Sequence, residues 1–352
     1  MLQRALEGLG FTCHRLLFSE PGTADIDNLY ARLGSKGPNF CYAGHTDVVP
    51  VGDPKGWTVD PFAADVIDGH LYGRGAADMK GGIACFIAAA SRIPQSKGSL
   101  SLLITGDEEG PATYGTRKVL EWMKANGHVP DVCLVGEPTS PDHLASAIKI
   151  GRRGSMTGRL VVRGVQGHVA YPQNADNPVP RMVRLLAVLT EAPIDSGNER
   201  FQPSNLEITT VDVGNPATNV IPGEVRATFN IRFNDNHTSQ SLEKWIRGKM
   251  DATGIAYELA FEVSGEAFVT KAGPFTSLLR DAVRAKFGRD PEFSTSGGTS
   301  DARFIKDYCP VAEYGLLNPT IHKVDERASL ADMAALTDVY ADILRRYFVE
   351  CR

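Results

Sequence analysis

Several short apolar segments of this chain end in ionisable side chains, and this feature constrains the fold more than any other. Each segment is long enough for one buried strand, and the residues that follow the strands are His45 and Asp47, Glu108 and Glu109, and Glu137. Carboxylates that are desolvated together need cations among them, because burying like charges is costly. The pattern therefore predicts a sheet whose strand ends hold a metal.

Two further ligand candidates lie in loops. Asp78 occupies the glycine-rich string Gly73–Gly82, and His322 lies in the string Asn318–Lys323. Imidazole nitrogens and carboxylate oxygens suit zinc and similar divalent ions. The glycine-rich string alone would also suit a phosphate, but it lacks the Gly-Lys-Ser/Thr ending of a phosphate-binding loop. Each candidate alone has an ordinary explanation as a cap, turn or surface group, whereas the whole set favours a metalloenzyme.

The first half of the chain alternates apolar strand segments with helical segments. Such alternation is typical of an α/β sheet flanked by helices. The expected strands are 40–43, 101–105 and 132–135, and the expected helices are 83–92 and 116–126. Ligands of such sheets gather at the carboxyl ends of the strands, which is where most of the candidate ligands fall.

From about residue 154 the pattern changes to that of an α+β module. Polar and apolar residues alternate over 156–162, 206–213 and 225–233, which predicts antiparallel strands, and 179–190 and 239–250 have the pattern of amphipathic helices. Helices at 274–287 and 330–348 resume the first pattern. We therefore expect a discontinuous catalytic domain with a central mixed sheet, residues 1–153 and 267–352, and an inserted α+β domain, residues 154–266.

Composition excludes several classes of protein. The formal net charge of −5 and the lack of a basic cluster argue against a nucleic-acid partner. The apolar stretches are too short to span a membrane, and the chain does not open with an export signal. The six cysteines lack the spacing of a disulfide framework or a thiolate metal site. These features predict a cytoplasmic protein.

Four strings resemble those of a known enzyme family. They are Gly44–Pro50 (GHTDVVP), Gly73–Gly81 (GRGAADMKG), Gly106–Gly110 (GDEEG) and Gly136–Thr139 (GEPT). They are similar to strings of the dinuclear-zinc amidohydrolases, which include carboxypeptidase-like and aminoacylase-like enzymes. The similarity runs from about Phe11 to the C-terminus, and it implies hydrolysis of an amide in a small-molecule substrate. Family members are in the middle of their first helix where this chain begins, so a shortened first helix is expected.

The resemblance implies two zinc ions per subunit, with Co²⁺ able to substitute at one site. It gives five candidates a metal role: Asp78 bridges both ions, His45 and Glu137 complete one site, and Glu109 and His322 complete the other. Of the remaining two, Glu108 would be the general base and Asp47 would orient His45. The resemblance also implies that the Asp78–Met79 peptide is cis.

Further strings favour, within the family, a deacylase of N-succinyl-LL-2,6-diaminopimelate. They are Gly151–Ser155 (GRRGS), Gly167–Pro172 (GHVAYP), Asn219–Pro222 (NVIP) and Ser296–Phe304 (SGGTSDARF). The substrate-binding residues that the resemblance implies are Arg152, Ser155, Asn219, Arg232, Gly298, Thr299 and Asn318. It also implies a homodimer through the inserted domain, in which His168 reaches the partner subunit's active site and donates to the oxyanion.

Two alternatives stay open at this point. One is a deacylase of another N-acyl amino acid, such as N-acetylornithine, which would share every metal residue. The other is a non-catalytic metal-binding or interaction protein on the same scaffold. The second alternative predicts the loss of Glu108 or of a ligand, and the sequence retains them all.

Overall fold

A computed structural model describes residues 1–93 and 98–349 of the chain. The backbone divides into two compact units: the first comprises 1–150, 270–294 and the residues from 300 onwards, and the second comprises 151–269 and 295–299. The predicted borders, at 153/154 and 266/267, differ from these by three residues each. The prediction also assigned 295–299 to the catalytic domain, whereas this segment groups with the second unit, where Arg152 Nη1 donates to the Gly298 carbonyl at 2.6 Å.

Secondary structure follows the sequence patterns closely. Within the described part of the chain, the helices α1 to α8 are Leu2–Gly8, Gly81–Ala90, Thr116–Ala125, Val179–Thr190, Ser239–Asp251, Pro274–Phe287, Ala302–Ile305 and Leu330–Val349. The strands β1 to β19 are Thr12–Phe18, Ile26–Leu33, Asn39–His45, Val66–Ile67, His70–Tyr72, Ser99–Thr105, Val132–Val135, Ala147–Lys149, Gly151–Arg152, Gly154–Arg163, Gly167–His168, Asn205–Asp212, Val220–Ile221, Glu224–Phe233, Glu258–Gly265, Phe268–Val269, Glu292–Ser294, Val311–Glu313 and Arg327–Ser329. Each strand and helix predicted above is present, with its ends within two residues.

The first unit is built on a mixed eight-stranded sheet in the order β1-β2-β6-β3-β7-β18-β8-β17. Strand β3 pairs in parallel with both β6 and β7, and all residues of these three strands are buried. Aromatic packing joins the sheet to helices α2 and α8: the ring of Phe86 stacks on Tyr42 at 4.0 Å and meets Tyr340 edge-on at 5.5 Å. The predicted fold class, a mixed sheet flanked by helices, is confirmed.

The second unit contains a four-stranded antiparallel sheet in the order β12-β14-β10-β15. Burial alternates along β10 and β14, so that one face of the sheet is apolar. Helices α4 and α5 cover that face and contribute Leu185 and Ile246 to a core with Leu160 and Phe229. The alternating sequence pattern therefore has the structural origin expected for a sheet with one buried face.

No helix in residues 1–93 or 98–349 is both long enough and apolar enough to cross a bilayer. Cys13, Cys41, Cys85, Cys133 and Cys309 are free thiols, and Cys351 lies outside the described residues.

Candidate metal centre

Three neighbouring parallel strands deliver most of the candidate ligands to one edge of the sheet. His45 is the last residue of β3, while Glu108 and Glu109 follow β6 and Glu137 follows β7. Since β3 lies between β6 and β7 in parallel register, the carboxyl ends of the three strands lie side by side. The sheet topology thus explains why residues more than 90 positions apart come together.

Asp78 reaches this edge from the turn that precedes α2. The turn starts at Gly75, whose φ of +84° favours glycine. It packs closely on β3, because a Cβ atom at Gly44 would lie 2.8 Å from the Met79 Cε atom. The Asp78–Met79 peptide is cis, as the resemblance predicted.

The two carboxylate oxygens of Asp78 face two different histidines. Asp78 Oδ1 lies 3.2 Å from His45 Nε2, and Asp78 Oδ2 lies 3.4 Å from His322 Nε2. On the first side, His45 Nε2 is also 3.7 Å from Glu137 Oε1. On the second side, His322 Nε2 is 3.0 Å from Glu109 Oε1. The structure therefore brings all five predicted ligands together, with Asp78 between two pairs.

The spacing of the donor atoms suits metal ions. One ligand atom each from His45, Glu108 and Glu137 lie within 4.8 Å of one another, and the same holds for His45, Asp78 and Glu109. Glu108, predicted as a base, thus lies close enough to join the ligand atoms. All of these donors are nitrogens or oxygens, the set that zinc and similar divalent ions accept.

The electrostatics of the cluster also fit bound cations. Burial, with the nearby charge of Asp301, raises the pKa of Glu108 to about 8. Burial and Asp78 likewise raise the pKa of Glu137 well above its ordinary value. The hydrogen bond with Asp78 raises the pKa of His322 to about 9. Bound divalent ions would favour the ionised forms of Glu108 and Glu137, because nearby positive charge lowers the pKa of a carboxyl group.

Asp47 contacts His45 mainly through its main chain. His45 Nδ1 lies 3.0 Å from the main-chain carbonyl of Asp47, and the nearer carboxylate oxygen, Oδ1, is 3.6 Å away. The Asp47 carboxylate instead accepts a hydrogen bond from the Glu109 amide at 2.9 Å. The chain turns after β3, so that the carbonyl faces the imidazole and the side chain points to the loop after β6. Asp47 therefore links two ligand-bearing loops.

Sequence reasoning missed two other buried acids of the first unit. Asp107 accepts hydrogen bonds from the amides of Thr113 and Tyr114, at 2.8 and 3.0 Å, and so holds the loop that carries Glu108 and Glu109. Asp301 accepts from Thr116 Oγ1 at 2.6 Å. Both acids lie inside strings quoted for the resemblance, which was the only signal for them.

Arg74 and Glu326 form a second missed feature of the first unit. Arg74 Nη1 lies 2.7 Å from Glu326 Oε2, and both side chains are almost fully buried. Arg74 lies in the same glycine-rich string as Asp78, and Glu326 follows His322 by four positions. Nothing in the spacing of these residues indicates that they form a pair.

Most predicted substrate-binding residues lie in the second unit. They are Arg152, Ser155, Asn219, Arg232, Gly298 and Thr299, whereas Asn318 lies in the first unit. Ser155 and Arg232 are cross-strand neighbours on β10 and β14. The structure thus groups Ser155 with Arg232, and Arg152 with Gly298.

His168 and Asn219 lie together on the surface of the second unit. Strand β11 pairs with β13 so that His168 is opposite Val220, and the Val169 amide donates to the Asn219 carbonyl at 3.1 Å. His168 Nδ1 accepts a hydrogen bond from the Ala170 amide at 3.0 Å. This contact leaves the proton on Nε2, so the exposed imidazole presents a donor.

Comparison with known proteins identifies the family. The family described as Peptidase family M20/M25/M40 matches residues 41–346. The chain belongs to this family. The M20 fold is also seen in a metallo-carboxypeptidase from Sulfolobus solfataricus, whose solved structure gives a TM-score of 0.79 at 15% identity and covers 99% of this chain and 93% of that chain.

Curated relatives in the M20 family are much more similar in sequence. A succinyl-diaminopimelate desuccinylase of Rhodospirillum centenum is 60% identical over 99% of this chain and 91% of its own length. One of Parvibaculum lavamentivorans is 58% identical over 99% of this chain and 90% of its own length. The predicted resemblance is thereby confirmed, and the chain is a hydrolase of the M20 family.

Proposed function

We propose that this M20 protein hydrolyses the amide of N-succinyl-LL-2,6-diaminopimelate to succinate and LL-2,6-diaminopimelate. The observation that carries the proposal is the placement of Asp78 between two histidine–carboxylate pairs. It occurs in a chain that is 60% and 58% identical to two relatives named succinyl-diaminopimelate desuccinylase. The reaction supplies a precursor of lysine and peptidoglycan. We propose a cytoplasmic location for the protein, because its cysteines lack the spacing of a disulfide framework.

We further propose that two zinc ions occupy the centre, with Asp78 shared between them and Co²⁺ able to replace zinc at one site. His45 and Glu137 would complete the first site, and Glu109 and His322 the second. Bound ions of this kind lower the pKa of a water molecule and stabilise developing negative charge.

The position and environment of Glu108 support the role of general base. Its carboxylate lies with His45 and Glu137 at the centre, and the pKa of about 8 in the cation-free cluster would fall when positive charge is added. A carboxylate poised near neutral pH can accept a proton from the attacking water and return it to the departing nitrogen. Water then adds to the acyl carbon, the C–N bond breaks, and the amine leaves neutral.

The substrate has several carboxylates, and the second unit offers cationic groups for them. Arg232 is half-buried, and burial together with the charge of Arg153 lowers its pKa. Two neighbouring guanidinium groups attract an anion, and Ser155 adds a hydroxyl donor on the opposite strand. We assign the binding of substrate carboxylates to Arg152, Ser155 and Arg232, assisted by Gly298, Thr299 and Asn318.

Substrate preference tests this proposal directly. The kcat/KM for N-succinyl-LL-2,6-diaminopimelate should exceed that for N-acetylornithine by about 100-fold or more, because a site built for a charged group leaves its donors unpaired when that group is absent. Side-by-side assays of zinc-loaded protein measure the ratio. Faster turnover of the acetyl substrate would contradict the succinyl assignment and favour the other deacylase.

We also propose that the enzyme is a homodimer in which His168 and Asn219 act on the partner subunit's active site. The support is the exposed Nε2 donor of His168 and its neighbour Asn219, in the unit that lacks the metal ligands. A donor that contacts the oxyanion stabilises the transition state.

Mixing of two inactive variants tests this role. His168→Ala alone should lower kcat by about 10²–10³-fold, the cost of an oxyanion donor. Subunits exchanged between the His168→Ala and Glu108→Gln proteins should regain about a quarter of wild-type activity, since half of the dimers are mixed and each has one complete site. Mixtures that stay inactive while subunit exchange is demonstrated would place His168 in its own subunit's site.

A further inference from the structure

The buried ion pair of Arg74 and Glu326 contacts three segments near the candidate ligands: the turn that carries Asp78, the loop that carries His322 and the loop that follows His45. The two carboxylate oxygens of Glu326 have different partners. Oε1 accepts hydrogen bonds from the amides of Ala77 and Asp78, both at 3.0 Å, and Oε2 pairs with Arg74 Nη1 at 2.7 Å. Glu326 therefore holds the main chain of the residue proposed to bridge the metal ions.

Arg74 extends the contact to the other two loops. Its Nη1 atom also donates to the carbonyl of Lys323, the neighbour of His322, at 3.2 Å. Its Nη2 atom donates to the carbonyl of Pro50, at 3.2 Å, in the loop that follows His45 and Asp47. The guanidinium lies 5.3 Å from the ring centroid of Trp57, which closes the same loop. One buried cation thus joins the segments after β3 and before β19.

The backbone at His322 needs such support. Its φ of +60° lies in the left-handed region, which is unfavourable for residues other than glycine. Asp325, one residue before Glu326, has a φ of +58°. Both conformations persist only where neighbouring contacts hold them, and the Arg74–Glu326 pair is anchored within this loop.

We infer that Glu326, through its pair with Arg74, is a positioning residue for the metal centre. It sets the orientation of the Asp78 carboxylate and the distance between the His45 and His322 sides without contacting metal or substrate. This inference rests on the proposed function. The pair needs a carboxylate in particular. A glutamine at position 326 has only one acceptor oxygen, so its NH2 group would face either the Arg74 guanidinium or the main-chain amides of Ala77 and Asp78.

Zinc affinity of the purified full-length protein tests the inference. Glu326→Gln should weaken zinc binding by about 10–100-fold, measured by competition with a chromogenic chelator, as found for groups that orient metal ligands. This single variant leaves Arg74 charged and unpaired, which puts folding at risk. The double variant Arg74→Met/Glu326→Gln removes that charge and should show the same weakening.

Ser101→Ala is the matched control. Ser101 Oγ donates to Asn39 Oδ1 at 3.0 Å, and both side chains are buried near the start of β3, away from the ligands. This variant should lower the melting temperature and leave zinc affinity unchanged. Wild-type affinity in both Glu326 variants, or in the double variant alone, would overturn the positioning role. A wild-type protein that binds no zinc would overturn the proposed function, and this inference with it.

Discussion

Glu108→Gln should lower kcat for the succinyl substrate by about 10²–10⁴-fold, the usual contribution of a general base. Glutamine keeps the shape and one acceptor oxygen, but it cannot accept the proton of the attacking water. The zinc content should stay at that of the wild type, because the proposal assigns Glu108 to proton transfer. Initial rates and metal analysis of the same preparation measure both properties.

Metal analysis is the more decisive of the two measurements, because ligand atoms of Glu108, His45 and Glu137 lie within 4.8 Å of one another. Loss of one zinc ion in Glu108→Gln would make this residue a ligand. Full activity in the variant would remove the base from the mechanism altogether. Glu121→Gln is a suitable control, since Glu121 is an exposed acid on α3 that pairs only with Lys118 at 2.9 Å among the described contacts; its rate and zinc content should be unchanged.

Removal of the metal ions should lower activity by at least 10³-fold, because several kcal/mol of transition-state stabilisation is lost with the cations. Added zinc should restore the rate. The melting temperature should also rise with zinc, since an ion that binds only the folded protein stabilises it. Dialysis against a chelator, followed by metal titration with activity and unfolding readouts, measures both effects.

Two ligand variants test the proposal that Asp78 is shared between two metal sites. Asp78→Ala should abolish binding of both ions, because its two oxygens face opposite histidines. His322→Ala should leave one ion bound by His45, Asp78 and Glu137. If the two variants retain the same number of ions, or if Asp78→Ala still binds one ion tightly, Asp78 does not bridge. Asp142→Asn, which alters an exposed acid, is the control for both.

The candidate ligands could be predicted because strand ends are readable in a sequence. The apolar runs of β3, β6 and β7 are short and fully buried, so the ionisable residues that follow each run stand out. The adjacency of these three strands was inferred only from the general behaviour of α/β sheets. Asp78 and His322 lie in loops, and their roles depended on the family resemblance.

The details that the sequence could not supply depend on where a side chain points. Asp47 was expected to orient His45, and the structure adds that its carbonyl makes the hydrogen-bond contact while its carboxylate accepts from the Glu109 amide. A residue's position in the chain does not decide which of its oxygens faces a neighbour. The turn after β3 decides it, and that turn is set by packing.

The sequence by itself determined the two-part organisation, the secondary structure and the residues able to hold metal, because these depend on local hydrophobic period and residue chemistry. The tertiary structure alone decided how Asp78 divides its oxygens between two histidines, and that Arg74 and Glu326, 252 positions apart, form a buried pair beneath them. Pairing across such a separation has no local pattern. It arises only when the folded chain removes both charges from water and leaves each as the other's partner.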